Sequence, residues 1–190
     1  MPAFTIRTGS ACVAEQNNSG VIIERIDKLS IVSLKVSSKS IESARDKLQL
    51  ASPASTSKGD PQSLWLGPDR WLLVSNSRSA DSLVEKCGEA LADVLHNAVD
   101  NSAGLAVFQL TGTGARDLLA AGCGIDFRTE RFPAGNCCRT RFAQIAAVIA
   151  AVGLEQFDVY VDRSYETYLG NWLSDTSGIL EDARERKVEA

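Results

Sequence analysis

The sequence predicts a fold of mixed strands and helices in which one structural unit occurs twice, once in each half of the chain. In the first copy an apolar stretch, residues 31–36, leads into a helix-forming segment at residues 44–48. In the second copy residues 105–110 lead into a similar segment at residues 115–119. Such a repeat, with a period of about 70 to 85 residues, is too long for a solenoid and is typical of two pseudo-equivalent halves of one core.

Each copy also closes in the same way. A strand at residues 71–75 runs into a helix that starts near Ser79, and a strand at residues 157–161 runs into a helix that starts near Ser164. The shared order is therefore strand, helix, variable middle, strand, helix.

The length of 190 residues is enough for a substantial core. We expect one globular domain, residues 21–180, made of two pseudo-equivalent halves at about 21–98 and 99–180. A polar N-terminal arm, residues 1–20, precedes it, and a charged C-terminal tail, residues 181–190, follows it.

The middle of the first half contains a loop and a hairpin. Residues 51–61 are small and polar with two prolines, which predicts a surface loop. Residues 64–66, the turn 67–69 and residues 70–74 predict a tight hairpin. Because residues 71–74 are apolar on both faces, we expect a central strand.

The helix after this hairpin has an apolar stripe at helical spacing. Leu83, Cys87 and Leu91 form the stripe, with Val84 and Leu95 beside it. This pattern extends the helix to His96, whose position at a helix C-terminus needs no functional explanation because the helix dipole favours it there.

Two strands are predicted in the second half. The apolar run at residues 145–154 is too short to cross a bilayer, which needs about 20 residues, and is expected to be a buried strand. In residues 157–162 polar and apolar residues alternate, so we expect Asp158, Tyr160 and Asp162 on a solvated face. The two carboxylates are then ordinary surface charges.

Composition excludes several classes of function. The net charge of −4 gives no basic surface for nucleic acid, and it disfavours an anionic membrane. No secretion signal is recognised, so the expected location is cytoplasmic. The five cysteines are odd in number and lack metal-ligand spacing, so we expect reduced thiols.

One short motif suggests a nucleotide site. Gly112-Thr113-Gly114 follows a strand and opens a helix, as a dinucleotide fingerprint does. Asp117 replaces the third glycine and places a carboxylate where a pyrophosphate would lie. A capped turn between strand and helix explains the same residues and is the favoured interpretation.

No catalytic, cofactor-binding or metal-binding residue is predicted in this chain. His96 is the single histidine and has no nucleophile motif near it. The neighbouring Cys137 and Cys138 are expected to point to opposite faces of a strand. Tyr165, Tyr168 and Trp172 form an aromatic stripe at helical spacing, which favours packing or a protein interface over base stacking.

Several segments carry a resemblance to a known family, the gamma subunit of bacterial heterotetrameric sarcosine oxidase. The similar segments lie between about residues 25 and 178: residues 64–73, 100–119, 123–127, 132–135, 140–142 and 165–173. The gamma subunit is in turn similar to the folate-binding domain of glycine-cleavage aminomethyltransferases. The resemblance implies an α+β fold with largely antiparallel sheets and packed helices.

The resemblance also implies a function. The complex demethylates sarcosine to glycine, passes the methyl carbon to tetrahydrofolate and forms hydrogen peroxide at a flavin. FAD, FMN, NAD, tetrahydrofolate and zinc are implied in the partner subunits, alpha, beta and delta, and not in this chain. The implied role is a non-catalytic subunit of an oxidoreductase complex, with Tyr165, Tyr168 and Trp172 as interface candidates.

The chain departs from true aminomethyltransferases at the folate site. Those enzymes have an acidic residue where this chain has residues 144–149, which contain no carboxylate. A related iron–sulfur assembly family has a Lys-Gly-Cys motif that residues 133–137 lack. The alternative function, a free-standing folate-binding protein or an aminomethyltransferase-like enzyme, is therefore less favoured.

Overall fold

The computed structural model describes residues 20–188. The strands are β1 (Ile22–Ile26), β2 (Ser30–Val36), β3 (Gln62–Gly67), β4 (Arg70–Ser75), β5 (His96–Asp100), β6 (Leu105–Thr111), β7 (Cys137–Phe142), β8 (Ile145–Gly153) and β9 (Gln156–Asp162). The α-helices are α1 (Ile41–Leu48), α2 (Ala80–Ala90), α3 (Ala115–Gly122) and α4 (Glu166–Val188). The α+β class and the predicted strand–helix repeat are confirmed.

The strands form two antiparallel sheets with matching strand orders. One sheet has the order β3-β4-β2-β5, and the other has β1-β6-β9-β8-β7. With β2, β3 and β4 taken as the counterparts of β6, β8 and β9, the orders agree, and β7 is an addition. The first sheet with its helices has the split βαβ arrangement known as ferredoxin-like.

Each copy gives one strand to the sheet of the other copy. β1 precedes the first copy but pairs with β6, from Ile22↔Thr111 to Ile26↔Val107. β5 precedes the second copy but pairs with β2, from Val36↔His96 to Val32↔Asp100. Both are outer strands of the sheets they join.

The chain divides into two compact units that follow this exchange. Within the described residues, one unit contains 20–27, Ala106–Ala134 and the chain from Thr140 onward. The other contains Lys28–Leu105 and Gly135–Arg139. The units therefore do not correspond to the two halves of the sequence. β1, at the start of the first half, pairs with β6, and β5, at the start of the second half, pairs with β2.

The second of these units has its core between its sheet and the helices α1 and α2. Trp71 on the central strand β4 is 1% exposed and donates its indole N–H to the Ala51 carbonyl at 2.9 Å. Leu83 and Cys87 on α2 are buried in the same cluster. The predicted central strand and the predicted apolar stripe of α2 are both confirmed.

The unit that contains β9 buries one face of this strand against a long loop, residues 123–134. Phe127 packs edge-on against Phe132 and Phe157, at centroid distances of 5.1 and 6.4 Å. Arg116 lies over the Phe157 ring at 4.9 Å and donates to the Leu154 carbonyl at 2.6 Å. This guanidinium also donates to the carbonyls of Phe127 and Phe132, so it fixes the loop to α3.

Helix α2 ends earlier than the apolar spacing predicts. It ends at Ala90, Leu91 is its C-cap, and a turn follows. Leu95 is consequently 81% exposed, and His96 begins β5 instead of ending a helix. The predicted positions of Leu95 and His96 were wrong, because side-chain spacing does not show where the backbone stops being helical.

Helix α4 extends further than predicted. It continues to Val188, through most of the segment expected to be a charged tail, and Arg184 pairs with Asp117 of α3 at 2.6 Å. The predicted N-terminal arm, residues 1–20, lies outside the described residues except for Gly20. None of the helices between residues 20 and 188 combines the length and the apolarity needed to cross a bilayer.

Candidate interaction surface

Hydrogen bonds of Asp162 determine where the chain leaves β9 and turns toward α4. The carboxylate of Asp162 accepts from the Ser164 N–H at 3.0 Å and from the Ser164 hydroxyl at 2.7 Å. A single 3₁₀ turn, Arg163–Tyr165, follows, and α4 starts at Glu166. This capping arrangement turns the chain from β9 into the helix.

The three predicted interface residues have different environments. Tyr165 and Tyr168 are each 44% exposed, whereas Trp172 is half-buried. The Trp172 ring packs edge-on against Phe142 at 5.1 Å, so it contributes to the core of its unit. We call Tyr165 and Tyr168 the aromatic surface.

The turn between β7 and β8 lies beside this surface. Its two residues, Ala143 and Gln144, have φ angles of +46° and +71°. Two consecutive positive φ angles define the tight hairpin turn that normally contains Asn or Gly. The Tyr168 hydroxyl donates to the Ala143 carbonyl at 2.8 Å, and this bond joins the turn to α4.

Ion pairs connect the first turn of α4 to strand β1. Glu166 accepts a hydrogen bond from Arg163 at 3.2 Å and also pairs with Arg25 of β1. Arg25 is largely buried and pairs in addition with Asp27. These ion pairs join β1 to α4 and hold the aromatic surface in place.

The glycine-containing turn is not a phosphate cradle. The Gly112 N–H donates to the Glu155 carbonyl at 2.9 Å, and the Gly114 N–H donates to the Gly20 carbonyl at 3.2 Å. The amides that would hold a phosphate are therefore already paired with backbone oxygens. Asp117 in the same helix start pairs with Arg184.

Asp158 is a half-buried carboxylate, so the prediction that it is an ordinary solvated charge was wrong. It accepts a hydrogen bond from the Gln109 amide at 3.0 Å, and burial raises the pKa of its carboxyl group. Tyr160, two residues along β9, is fully buried, whereas Asp162 is exposed. The predicted solvated face of β9 is thus restricted to its C-terminal end.

The remaining polar candidates do not form a cluster. Cys137 is buried and lies 3.0 Å from the Ser55 carbonyl, and burial raises the pKa of its thiol to about 11. Cys138 is half-buried, and neither cysteine forms a disulfide. Between residues 20 and 188 no group of three or more His, Cys, Asp or Glu residues is arranged to hold a metal ion.

Sequence reasoning missed two of these features. The Ala143–Gln144 turn gave no signal, because neither residue type is usual at positive φ. The partial burial of Asp158 could have been suspected from its apolar neighbours Phe157 and Val159, but strict alternation favours exposure.

Known proteins resemble this chain in sequence. Sarcosine oxidase subunit gamma from Corynebacterium sp. (strain U-96) is 29% identical over 112 residues, which cover 59% of this chain and 54% of that protein. The subunit from Corynebacterium sp. (strain P-1) is 27% identical over the same length. The matched region spans about half the length of these relatives.

Solved structures resemble it in fold. A chain of the heterotetrameric sarcosine oxidase from Corynebacterium sp. U-96 in complex with pyrrole 2-carboxylate matches with a TM-score of 0.77 and 20% identity, over 88% of this chain and 89% of that one. Aminomethyltransferase T of the glycine cleavage system from Bartonella henselae matches with a TM-score of 0.61 and 15% identity, over 81% of this chain and 45% of that one. The model of one family, described as sarcosine oxidase, gamma subunit family, matches residues 44–179. Because this match covers most of the chain, the protein belongs to the sarcosine oxidase gamma subunit family.

Proposed function

We propose that this chain is the non-catalytic gamma subunit of a heterotetrameric, flavin-dependent sarcosine oxidase. The complex demethylates sarcosine to glycine, transfers the methyl carbon to tetrahydrofolate and forms hydrogen peroxide, and it serves sarcosine catabolism and one-carbon metabolism in the cytoplasm. FAD, FMN, NAD, tetrahydrofolate and zinc belong to the alpha, beta and delta subunits. The family match over residues 44–179 is the observation that carries this proposal.

The chemistry of the chain supports a role in assembly. The glycine-containing turn has its amides paired with backbone carbonyls, and Asp158 is bonded to a neutral amide. Tyr165 and Tyr168, in contrast, expose aromatic rings in the 3₁₀ turn before α4 and in the first turns of α4. Tyrosine contributes a large share of the binding energy at protein interfaces, so the aromatic surface is the proposed contact with a partner subunit.

Co-purification tests this proposal. The tagged chain is expressed with the alpha, beta and delta subunits, and we expect Tyr165→Asp to lower the yield of the four-subunit complex. Turnover per assembled flavin stays unchanged, because binding of the subunit acts on the assembled state by mass action.

Two control variants make the test specific. Thr167→Asp adds the same charge at an exposed position of α4, two residues from Tyr165, and should leave the yield unchanged. Tyr168→Phe removes the bond to the Ala143 carbonyl but keeps the ring, and should also assemble. Full assembly of Tyr165→Asp with reduced turnover per flavin would contradict the proposal, since the chain would then contribute to the active site.

The alternative, a free-standing folate-binding or aminomethyltransferase-like protein, is favoured by one observation, the similarity in fold to aminomethyltransferase T. Against it, β8 is apolar along Ile145–Gly153 and offers no carboxylate to orient a folate amine. Titration of the isolated chain with tetrahydrofolate separates the two functions. Saturable one-to-one binding without partner subunits would support the alternative.

A further inference from the structure

Strand β5 is an outer strand of its sheet, and its two sides differ. Its inner side pairs with β2, and among residues 20–188 no strand pairs with its outer side. The other outer strand of the same sheet, β3, has its outer side paired with a neighbouring segment of the chain. Residues 55–57 cover it through a Thr56↔Leu64 bridge and a 3.2 Å bond from the Trp65 N–H to the Ser55 carbonyl.

The backbone groups on the outer side of β5 can be identified. The Leu95 carbonyl accepts from the Ser37 N–H at 2.8 Å, and the Asn101 N–H donates to the Ile31 carbonyl at 2.8 Å, so both point toward β2. Backbone groups alternate in direction along a strand. His96, Ala98 and Asp100 therefore direct their N–H and C=O groups away from β2.

Two large apolar side chains accompany this row of backbone groups. Leu95 is 81% exposed and Val99 is 49% exposed. Because they are four residues apart in an extended segment, they lie on the same face. An outer strand that has free backbone groups and exposed apolar side chains is a surface for pairing with another chain.

We propose that a second copy of this chain pairs with β5, antiparallel and related by a two-fold axis at Ala98. This register overlaps all of His96–Asp100. It places Ala98 opposite Ala98 and each His96 opposite Asp100 of the other copy. All of these residues direct their backbone groups outward, so each pair exchanges two N–H···O bonds.

The side chains of β5 are self-complementary in this register. An imidazole lies opposite a carboxylate at both ends of the paired segment. Asp100 is held for this contact by hydrogen bonds from the Ser102 N–H at 2.9 Å and the Ser102 hydroxyl at 2.5 Å. A two-fold axis at Asp100 would instead place two carboxylates opposite each other, which is unfavourable.

The exposed apolar side chains also meet in this register. Val99 lies opposite Asn97 of the other copy, so its diagonal neighbours across the new pair are Val99 and Leu95 of that copy. Diagonal neighbours are about 7–8 Å apart, within reach of long side chains. Pairing thus covers two of the large apolar side chains that the single chain leaves exposed.

The dimer is weak, and it is independent of the proposed function. A pair of five-residue strands buries much less than the roughly 1,200 Å² of the smallest stable interfaces. We therefore expect dimers at high concentration of the isolated chain and monomers on dilution.

Sedimentation velocity of the full chain over a wide concentration range tests this. The expected mass rises from 20.4 kDa toward twice that value. Val99→Lys should remain monomeric, because it places two ammonium groups in diagonal positions. Ile179→Lys, a change of another exposed apolar residue, on α4, should dimerise as the unchanged chain does.

Amide hydrogen exchange locates the contact. The amides of His96, Ala98 and Asp100 should exchange more slowly as the concentration rises. The amides of Asn97 and Val99 point toward β2 and serve as an internal control, with exchange that does not depend on concentration. A chain that stays monomeric at every concentration, a Val99→Lys variant that still dimerises, or protection confined to other segments would each overturn the proposal.

Discussion

Gly112 adopts a backbone conformation that other residue types avoid. Its φ angle is +117°, and a Cβ atom added there would clash with the Gly20 carbonyl oxygen. We expect Gly112→Ala to lower the free energy of unfolding by about 1–3 kcal/mol from strain alone, with the clash adding to this. Urea unfolding measures the change.

Gly124 provides the matched control for this substitution. No atom lies within 4 Å of a Cβ added at Gly124, and its φ angle is not positive. Gly124→Ala should therefore leave the free energy of unfolding nearly unchanged. An equal loss in both variants would show that the turn at Gly112 tolerates a side chain.

Asp158 destabilises the fold when it is charged, because burial raises the pKa of its carboxyl group above the ordinary value. The folded state then binds the proton more tightly than the unfolded state. The contribution of Asp158 to stability is therefore most favourable below the ordinary aspartate pKa of about 3.9 and falls as the pH rises above it. We expect Asp158→Asn to be more stable than the unchanged chain at pH 7.

The pH dependence distinguishes this effect from a change in packing. Thermal unfolding of both proteins between pH 3 and 7 should show a difference that shrinks as the pH falls. Asp162, which is exposed, supplies the control, because Asp162→Ala removes the oxygen that accepts from the Ser164 N–H and should destabilise at pH 7. An Asp158→Asn variant that is less stable at every pH would contradict the prediction.

Strand β9 shows how far the alternation of polar and apolar residues predicts the burial of single side chains. Phe157, Val159 and Val161 are buried as the alternation predicts. The same alternation predicts exposure for Asp158 and Tyr160, but Asp158 is half-buried and Tyr160 is buried. Burial of the second face of a strand depends on what covers that face, which the strand's own residues do not encode.

The hairpin of β7 and β8 has a turn that its sequence does not favour. Gln144 is exposed at φ +71°, where a side chain is strained and glycine is not. We expect Gln144→Gly to raise the free energy of unfolding by about 1 kcal/mol, since the left-handed conformation costs other residues about 1–2 kcal/mol.

Ala146 is the control within the same hairpin. It is exposed and lies in β8, where glycine has no strain to relieve. Ala146→Gly should lower the free energy of unfolding by about 0.5–1 kcal/mol. If both glycine substitutions destabilise, the turn is not strained in solution.

The presence of each helix and strand was easier to predict from the sequence than the residue at which it ends. The two-residue turn of the β3–β4 hairpin follows from Pro68-Asp69, and the start of α2 follows from Ser79, whose hydroxyl accepts from the Ser82 N–H at 3.2 Å. The end of α2 could not be predicted, because Leu95 continues the spacing of Leu83 and Leu91 beyond the last helical turn.

At the scale of the whole molecule, we expect the isolated chain to be colourless and free of metal. Among the described residues no group of His, Cys, Asp and Glu is arranged as a metal site, and the amides of Gly112 and Gly114 are paired within the fold. A visible spectrum and elemental analysis of the chain purified without partners measure this. A stoichiometric flavin or zinc would contradict the prediction.

The two copies could be predicted from the sequence, but their exchange of strands could not. The repeat is local, since each strand and helix has its own hydrophobic period. The pairing of β1 with β6 joins segments that are far apart in the chain, and neither segment contains a sign of its partner.

The pairing of β1 with β6 affects how the protein folds during synthesis. β1 leaves the ribosome about 80 residues before β6, so at typical rates of about 5–20 residues per second it waits on the order of 4–16 seconds for its partner. β2, β3, β4 and β5 are by then all available to form their own sheet. A nascent chain that stalls between β5 and β6 therefore carries one nearly finished unit and one unpaired strand, and that strand is the segment we expect a chaperone to protect.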